Sequence, residues 1–235
     1  MLKFFKGNKK LNKDIYTFSL PAGYCCPFAK LCLSRANKKT GKIKDGPNIE
    51  YRCYSASTES LFKNVRKSRW RNFNLLKNKS KDEMIELILM SLPNKAKYVR
   101  IHISGDYYNQ DYFDAWLMVA KIKSKVLFYS YTKCLPFWIK RLKQIPENFI
   151  LTASKGGTKD KLINKYNLKY AQVVYSEKEA TDLGLEIDHD DSHAIGNKSF
   201  GLLIHGSQPK SVNQRIRLLL IGTDWCLIKN LAGPI

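Results

Sequence analysis

Residues 98–122 read YVRIHISGDYYNQDYFDAWLMVAKI. Tyr98 to Asp106 alternates apolar and polar residues and ends in a tight Ser-Gly-Asp turn, the pattern of a strand. Asn109 to Ile122 places its apolar residues at helical spacing. Outward from this strand-helix unit the order repeats. VLFYSYT (Val126 to Thr132) leads into LPFWIKRLKQI, where Pro136 suits a first helical turn. FILTASKGG leads into TKDKLINKY, and AQVVYS into EKEATDLG, where Ser176 and Glu179 make a capping box. IYTFSL, closed by Pro21-Ala-Gly23, opens the series and FGLLIHG (Phe200 to Gly206) ends it. This gives six strands, near Ile15, Tyr98, Val126, Phe149, Gln172 and Phe200. Alternation of strand and helix predicts an α/β fold with a parallel sheet. Six such units can curl into an open barrel, and a flat doubly wound sheet fits the same periodicity.

Between the first two strands the sequence predicts two helices. One lies within Thr58 to Lys77, with Leu61, Val65, Phe73 and Leu76 on one stripe and Lys63, Arg66, Lys67, Arg69 and Arg71 mostly off it. The other opens with a capping box at Ser80 and Glu83 and runs to Leu92, where Pro93 breaks it.

A chain of 235 residues suffices for one domain with a full core. Lys and Arg number 41 against 20 Asp and Glu, a formal charge of +21. A field of that sign and size favours nucleic acid or nucleotides as partners, and aromatic residues at 12% could stack on bases. Arg66, Lys67, Arg69, Arg71, Lys133 and Lys155 are the candidate phosphate contacts; solvated surface charge is the ordinary alternative. No stretch approaches ~18 uninterrupted apolar residues, and the basic start MLKFFKGNKK lacks an apolar export core. The expectation is a cytoplasmic protein with no membrane span and a flexible basic leader over residues 1–14.

Four of the six cysteines, Cys25, Cys26, Cys32 and Cys53, crowd the loop of residues 21–54 behind the first strand. In a reducing compartment, clustered cysteines bind metal or do chemistry more often than they pair. Cys26, Cys32 and Cys53, spaced C-x5-C-x20-C, are the candidate ligands of an iron-sulfur cluster or zinc, with a fourth position open. Cys25 is left as a spare, because sequence neighbours rarely aim at one centre. Cys134 and Cys226 read as small buried residues.

Two further groups fall at strand ends. Ser104, Gly105 and Asp106 form a turn able to approach a ligand closely, or else a plain turn with a capping acid. DHDDSH (Asp188 to His193), His205 and His102 bring together the chain's four histidines, His102, His189, His193 and His205, with Asp188, Asp190 and Asp191. His102, Asp190, His193 and His205 are the candidates for acid-base or metal chemistry; a polar capped loop is the alternative. Gly156-Gly157 before a helix lacks the full pattern of a phosphate-binding loop, which argues against a nucleoside triphosphatase.

FSLPAGYCCPFAKLC, RCYSAS, RIHISGDYYNQDYFDAWL, FYSYTKCLPFW, NFILTASKGG, VVYSE, IDHDDSHA and LLIHGSQP together resemble the phage-associated gene product 88 family, in order, from Phe18 to about Pro209. The resemblance implies a phage or mobile-element protein, located in the host cytoplasm, and brings no activity with it. Residues 210–235 look like a divergent tail. More distantly, the chain is similar to radical S-adenosylmethionine enzymes. These have an open six-unit (βα) barrel, three cluster cysteines after strand one, and a turn after strand two that receives the methionine amino group. That likeness implies an iron-sulfur cluster on Cys26, Cys32 and Cys53 and S-adenosylmethionine at Ser104, Gly105 and Asp106. The compact C-x3-C-x2-C of that group is absent here. The leading expectation is an iron-sulfur enzyme acting on nucleic acid or nucleotides. The alternatives are a divalent-metal nuclease or phosphoesterase, and a non-catalytic nucleic-acid-binding phage protein.

Overall fold

The computed structural model describes residues 1–7, 14–214, 216 and 217. In chain order the strands are β1 (Phe5–Lys6), β2 (Ile15–Ser19), β3 (Ser34–Ala36), β4 (Ile43–Asp45), β5 (Tyr98–Ser104), β6 (Leu127–Thr132), β7 (Phe149–Ser154), β8 (Tyr170–Val174), β9 (Glu186–Ile187) and β10 (Phe200–Leu203). The helices are α1 (Tyr54–Leu61), α2 (Lys63–Leu76), α3 (Lys81–Ser91), α4 (Gln110–Ile122), α5 (Leu135–Ile139), α6 (Lys161–Lys165), α7 (Glu177–Asp182) and α8 (Ser192–Ile195).

One eight-stranded sheet runs β1-β2-β5-β6-β7-β8-β10-β9, parallel throughout except where β1 pairs antiparallel with β2. The fold is mixed α/β, and the sheet does not close on itself. The six strands expected from the sequence lie side by side in chain order, whereas a doubly wound sheet reverses its order at a switch point. The intervening units are uneven. A β3-β4 hairpin and three helices separate β2 from β5, while α7, β9 and α8 separate β8 from β10.

Strand alternation divides the sheet's side chains between two faces. Phe18, Val99, Ile101, Phe128, Phe149 and Leu151 enter the larger core, which α3 and α4 cover with Met84, Ile88, Tyr112, Phe113 and Trp116. Ile15, Tyr129, Ala171 and Phe200 form a smaller core on the opposite face, under Ala194 of α8. The helices begin where the sequence supplies acceptors. Ser80 and Glu83 complete the expected capping box of α3, Asn109 accepts from the Tyr112 amide at the start of α4, and Ser176 accepts from the Glu179 amide of α7.

Two expectations change. The first residues are not loose: Leu2 is buried, its amide donates to Ser91 Oγ (2.9 Å), Phe4 packs on Phe18, and β1 follows. The long helix expected over Thr58 to Lys77 is two, broken at Phe62, whose backbone is extended. At that break Arg66 Nη1 donates to the Glu59 carbonyl, an acceptor near the end of α1. Most of the tail, Cys226 included, lies outside the described residues.

Candidate functional site

The cysteine loop is laid across the carboxyl ends of the parallel strands and tied down by backbone bonds. The Leu20 amide donates to Ser104 O (2.9 Å) after β5, and the Lys30 and Leu31 amides donate to Gly156 O (3.2 and 2.9 Å) after β7. Tyr51 donates to Lys155 O (3.3 Å), Tyr175 after β8 donates to Glu50 O (3.0 Å), and the Arg52 amide donates to Gln208 Oε1 (2.7 Å) beyond β10. Gly23 has a positive φ of 69°, and a Cβ there would stand 2.3 Å from Ser34 O, so the loop's entry into its hairpin requires glycine. A fully buried carboxylate holds the same corner. Glu59 Oε1 accepts from the Ala22 amide (2.9 Å), Arg69 Nη1 (2.9 Å) and Ser104 Oγ (3.1 Å).

The thiols share one electrostatic neighbourhood. Burial pushes Cys26 well up, and Asp106, Cys53, Cys32 and Cys25 push in the same direction. Cys53, the residue that begins α1, is raised to about 11 by burial and by Cys32, against the Ala56 and Ser55 amides and Arg69. Tyr51 is raised to about 12, chiefly by burial, against Lys133. Lys133 is itself buried, which disfavours its charge. The negative groups around it, Cys32, Tyr51, Asp106 and Asp160, nevertheless hold its pKa above the usual lysine range. Its ammonium donates to Ser154 Oγ (2.6 Å), Ser154 O (3.1 Å) and Lys155 O (2.8 Å). Cys25 is fully buried and raised by burial, Glu59 and Asp106. Cys134 is buried as expected, its thiol donating to Tyr107 O (2.9 Å).

Three thiols suit soft metal ions, and the mutual repulsion of their anions is what a bound cation would relieve. As they stand, no three His, Cys, Asp or Glu side chains among the described residues are grouped to hold a metal ion.

The turn after β5 is committed within the protein. Asp106 is buried and accepts from Thr132 Oγ1 (2.6 Å), the Lys133 amide (2.8 Å) and the Tyr107 amide (2.8 Å). Burial raises its pKa against those bonds and the Lys133 charge. It pins the end of β5 to the end of β6 and does not cap α4, which Asn109 does. Gly105, at φ 81°, lies under Leu20, whose Cβ would be 2.7 Å from an added Cβ. Ser104 is spent on Glu59.

The histidines and acids do not gather. His102 has a left-handed backbone (φ 64°) that turns it to the helix side directly after Ile101. There its Nε2 meets Tyr112 Oη (3.1 Å) between Phe18 and Tyr107, and burial lowers its pKa to about 3. On the other face Asp191 accepts from Arg100 Nη1 (2.5 Å), Tyr129 (3.1 Å) and Tyr131 (3.3 Å). His193 sits between Asp188 (3.0 Å) and Glu186 (3.1 Å). Lys169 seals the end of α8 on the carbonyls of Ala194 (2.5 Å) and Gly196 (2.7 Å), and burial lowers its pKa to about 8. Asp190 is exposed and accepts from the Ser192 amide (3.0 Å). His205 alone lies at the rim of the cysteine loop, 4.5 Å from Tyr54 between ring centres.

The basic candidates divide as well. Arg66 and Arg69 are buried, bonded to the Lys38 and Glu59 carbonyls and to Glu59 with Ser55 O, respectively. Lys133 is buried as described, and Lys155 bonds Gln172 (2.9 Å) over the Tyr170 ring. Lys67 and Arg71 remain exposed on α2.

A family model described as Gene product 88 matches residues 2–219. The chain belongs to this phage-associated family. No curated protein and no solved structure matches it. The Gene product 88 match takes in β1 at one end and passes Pro209 at the other, a longer span than the sequence resemblance suggested. Within this member of the Gene product 88 family, sequence reasoning missed Glu59, Tyr51, Arg100, Tyr129 and Tyr131. Glu59 carried a readable signal, a lone acid between two basic segments. The tyrosines carried none, since their partners come from a distant loop.

Proposed function

We propose that the cysteine loop of this Gene product 88 protein holds a metal centre on Cys26, Cys32 and Cys53, an iron-sulfur cluster or else zinc, in an enzyme acting on nucleic acid or nucleotides. One observation carries the reading: the loop bearing the three cysteines lies over the carboxyl ends of parallel strands, where α/β proteins place their ligands, with Cys53 and Cys32 both opposing the ionisation of Cys26 and Cys32 that of Cys53. Six parallel strands in chain order are also what an open (βα)6 barrel of the radical S-adenosylmethionine type would require. Bound there, an iron-sulfur cluster would supply an electron and an open coordination position, and zinc a Lewis acid. The chain's own groups would do the rest. Lys133 offsets thiolate charge, Asp106 fixes the β5 and β6 ends below the loop, and Tyr54 and His205 stand at the rim. Both Asp106 oxygens already accept hydrogen bonds, so S-adenosylmethionine enters only as a ligand to be titrated. The charge of +21 supports a phosphate-rich substrate.

The test is purification without oxygen, with iron, acid-labile sulfide and zinc measured on wild type and on Cys26→Ser, Cys32→Ser and Cys53→Ser. The expected result is stoichiometric metal in the wild type and loss to background in each variant, with Cys25→Ser unaffected. Because Cys26 and Cys53 hold their protons well above neutral pH, metal affinity should rise with pH. Metal-free wild type that binds nucleic acid would leave the non-catalytic reading.

A further inference from the structure

Helix α2 sorts its basic residues by face. Arg66 and Arg69 point inward with Asn72 and Leu76, while Lys63, Lys67 and Arg71 follow one another at four-residue spacing on the outside. Across from them stands the turn of the β3-β4 hairpin with Lys38 and Lys39, both exposed. Arg66 ties the two sides by donating to the Lys38 carbonyl (3.2 Å). Between them lies a groove of about 570 Å³, the scale of a nucleotide site, and no carboxylate lines it. Lys38, Lys39, Lys63 and Lys67 make no ion pair among the described residues. Five cations crowded around a concavity repel one another, and the ligand that relieves them is a polyanion.

Trp70 forms part of the lining. Its ring is braced edge-on by Tyr24 (4.8 Å between centroids) and Phe73 (5.9 Å), and the Lys38 ammonium lies 4.7 Å from its centre. A braced aromatic ring with an exposed lysine over its face and further cations beside it is the chemistry that takes an unpaired base, the lysine passing from the ring to a phosphate, since every base offers a π-face and duplex bases are stacked away from reach. We infer that this groove binds single-stranded nucleic acid, with a base on Trp70 and the flanking phosphates on Lys38, Lys63, Lys67 and Arg71. Tyr24 adjoins Cys25 in the sequence and touches Trp70, so the strand would run beside the cysteine loop. The inference rests on the nucleic-acid part of the proposed function and not on the metal.

Fluorescence anisotropy on the full chain tests it with three probes: a labelled single-stranded oligonucleotide, its duplex, and a base-free deoxyribose-phosphate chain of equal length. The single strand should bind at least about fivefold tighter than the base-free chain, and Trp70→Leu should erase that difference without changing the salt slope. Trp70→Phe, which keeps a ring, should retain part of it and guards against misfolding of the leucine variant. The triple variant Lys63→Glu, Lys67→Glu, Arg71→Glu should cut affinity more than tenfold and lower the log-log salt slope by about 0.7 for each phosphate that is no longer neutralised. Lys121→Glu, Lys123→Glu, Lys125→Glu, an equal charge change at the exposed end of α4, should have a much smaller effect. Equal losses from the two triples, or equal binding of the single strand and the base-free chain by wild type, would overturn the groove. Metal content, measured on the same samples, reads the other proposal independently.

Discussion

The cysteine loop (21–54) and the acidic loop (188–193) both bring ionisable groups to the sheet. The first lies over the strand carboxyl ends, and the second on the face away from α3 and α4. In the acidic loop opposite charges meet: Asp191 holds Arg100 and two tyrosines, Asp188 and Glu186 hold His193, and Lys169 closes α8. Around the cysteines like meets like, with Asp106, Cys53 and Cys32 opposing the ionisation of Cys26, Cys32 opposing that of Cys53, and Lys133 as the buried counter-charge. Paired charge explains itself as structure. Unrelieved crowding of acidic groups costs stability and is characteristic of sites that await a ligand. Of the two, the cysteine loop is the one that carries the proposed metal centre.

The largest effect that tests this contrast is at Glu59, the fully buried carboxylate paired with Arg69 at the cysteine-loop corner. Glu59→Ala leaves Arg69 buried without its anion and the Ala22 amide without an acceptor, at an expected cost of about 4 kcal/mol in urea denaturation. Glu59→Gln retains the acceptor and should recover part of that. If Glu59→Ala costs less than about 1 kcal/mol, the loop is not held as a rigid frame and the contrast fails. Asp191→Asn should cost less, about 2 kcal/mol, because Arg100 retains the Tyr131 ring and partial access to solvent. Asparagine tolerates the left-handed backbone at that position (φ 68°), so the loss reports charge. Metal content should not change, and a fall in it with Asp191→Asn would join the two loops into one site.

The six central strands were legible because each is a short apolar run closed by Gly, Ser or Lys, a local signal. Their order in the sheet was not, since periodicity alone fits both barrel and doubly wound arrangements. Arg66 and Arg69 were placed on the surface by their residue type. They are buried because the break at Phe62 sets the Glu59 carbonyl and carboxylate against α2, a meeting no spacing encodes. Asp106 raised the choice between helix cap and ligand-binding acid, while its main partners, Thr132 and Lys133, arrive from the next strand. The cysteine loop was legible as a place. Its hold on β5, β7 and the chain beyond β10 was not, because that hold is mostly backbone bonding.

The smallest expected effect is the pH response of the acidic loop. His193 carries a raised pKa, chiefly through its bond to Glu186 and then through Asp188, against partial burial. A histidine whose folded pKa exceeds its unfolded value of about 6.5 binds its proton more tightly in the folded state. Its contribution to stability is complete below the unfolded value and is lost as pH rises through the folded one. The contribution should therefore fade as pH rises from the unfolded value through the higher folded one, with the loop rather than the whole core loosening. His193→Gln keeps a polar side chain without the titration, so its melting temperature should vary less over that range, with the two proteins converging at the alkaline end. His102 gives the control. Neutral and sealed under Phe18 and Tyr112, it titrates far below this window and contributes nothing to the slope. Hydrogen exchange at the Ala194 and His193 amides, which bond Asp191 O (3.1 Å) and Asp188 Oδ1 (3.3 Å), locates the change. Lower protection there at alkaline pH, with rates corrected for the intrinsic base catalysis of exchange and the protection of the cysteine-loop amides of Lys30 and Leu31 unmoved, would show that the charge-paired loop opens by itself. A matching loss of protection in both loops would mean that they share one cooperative unit, and the division between a structural loop and a ligand-ready loop would have to be withdrawn.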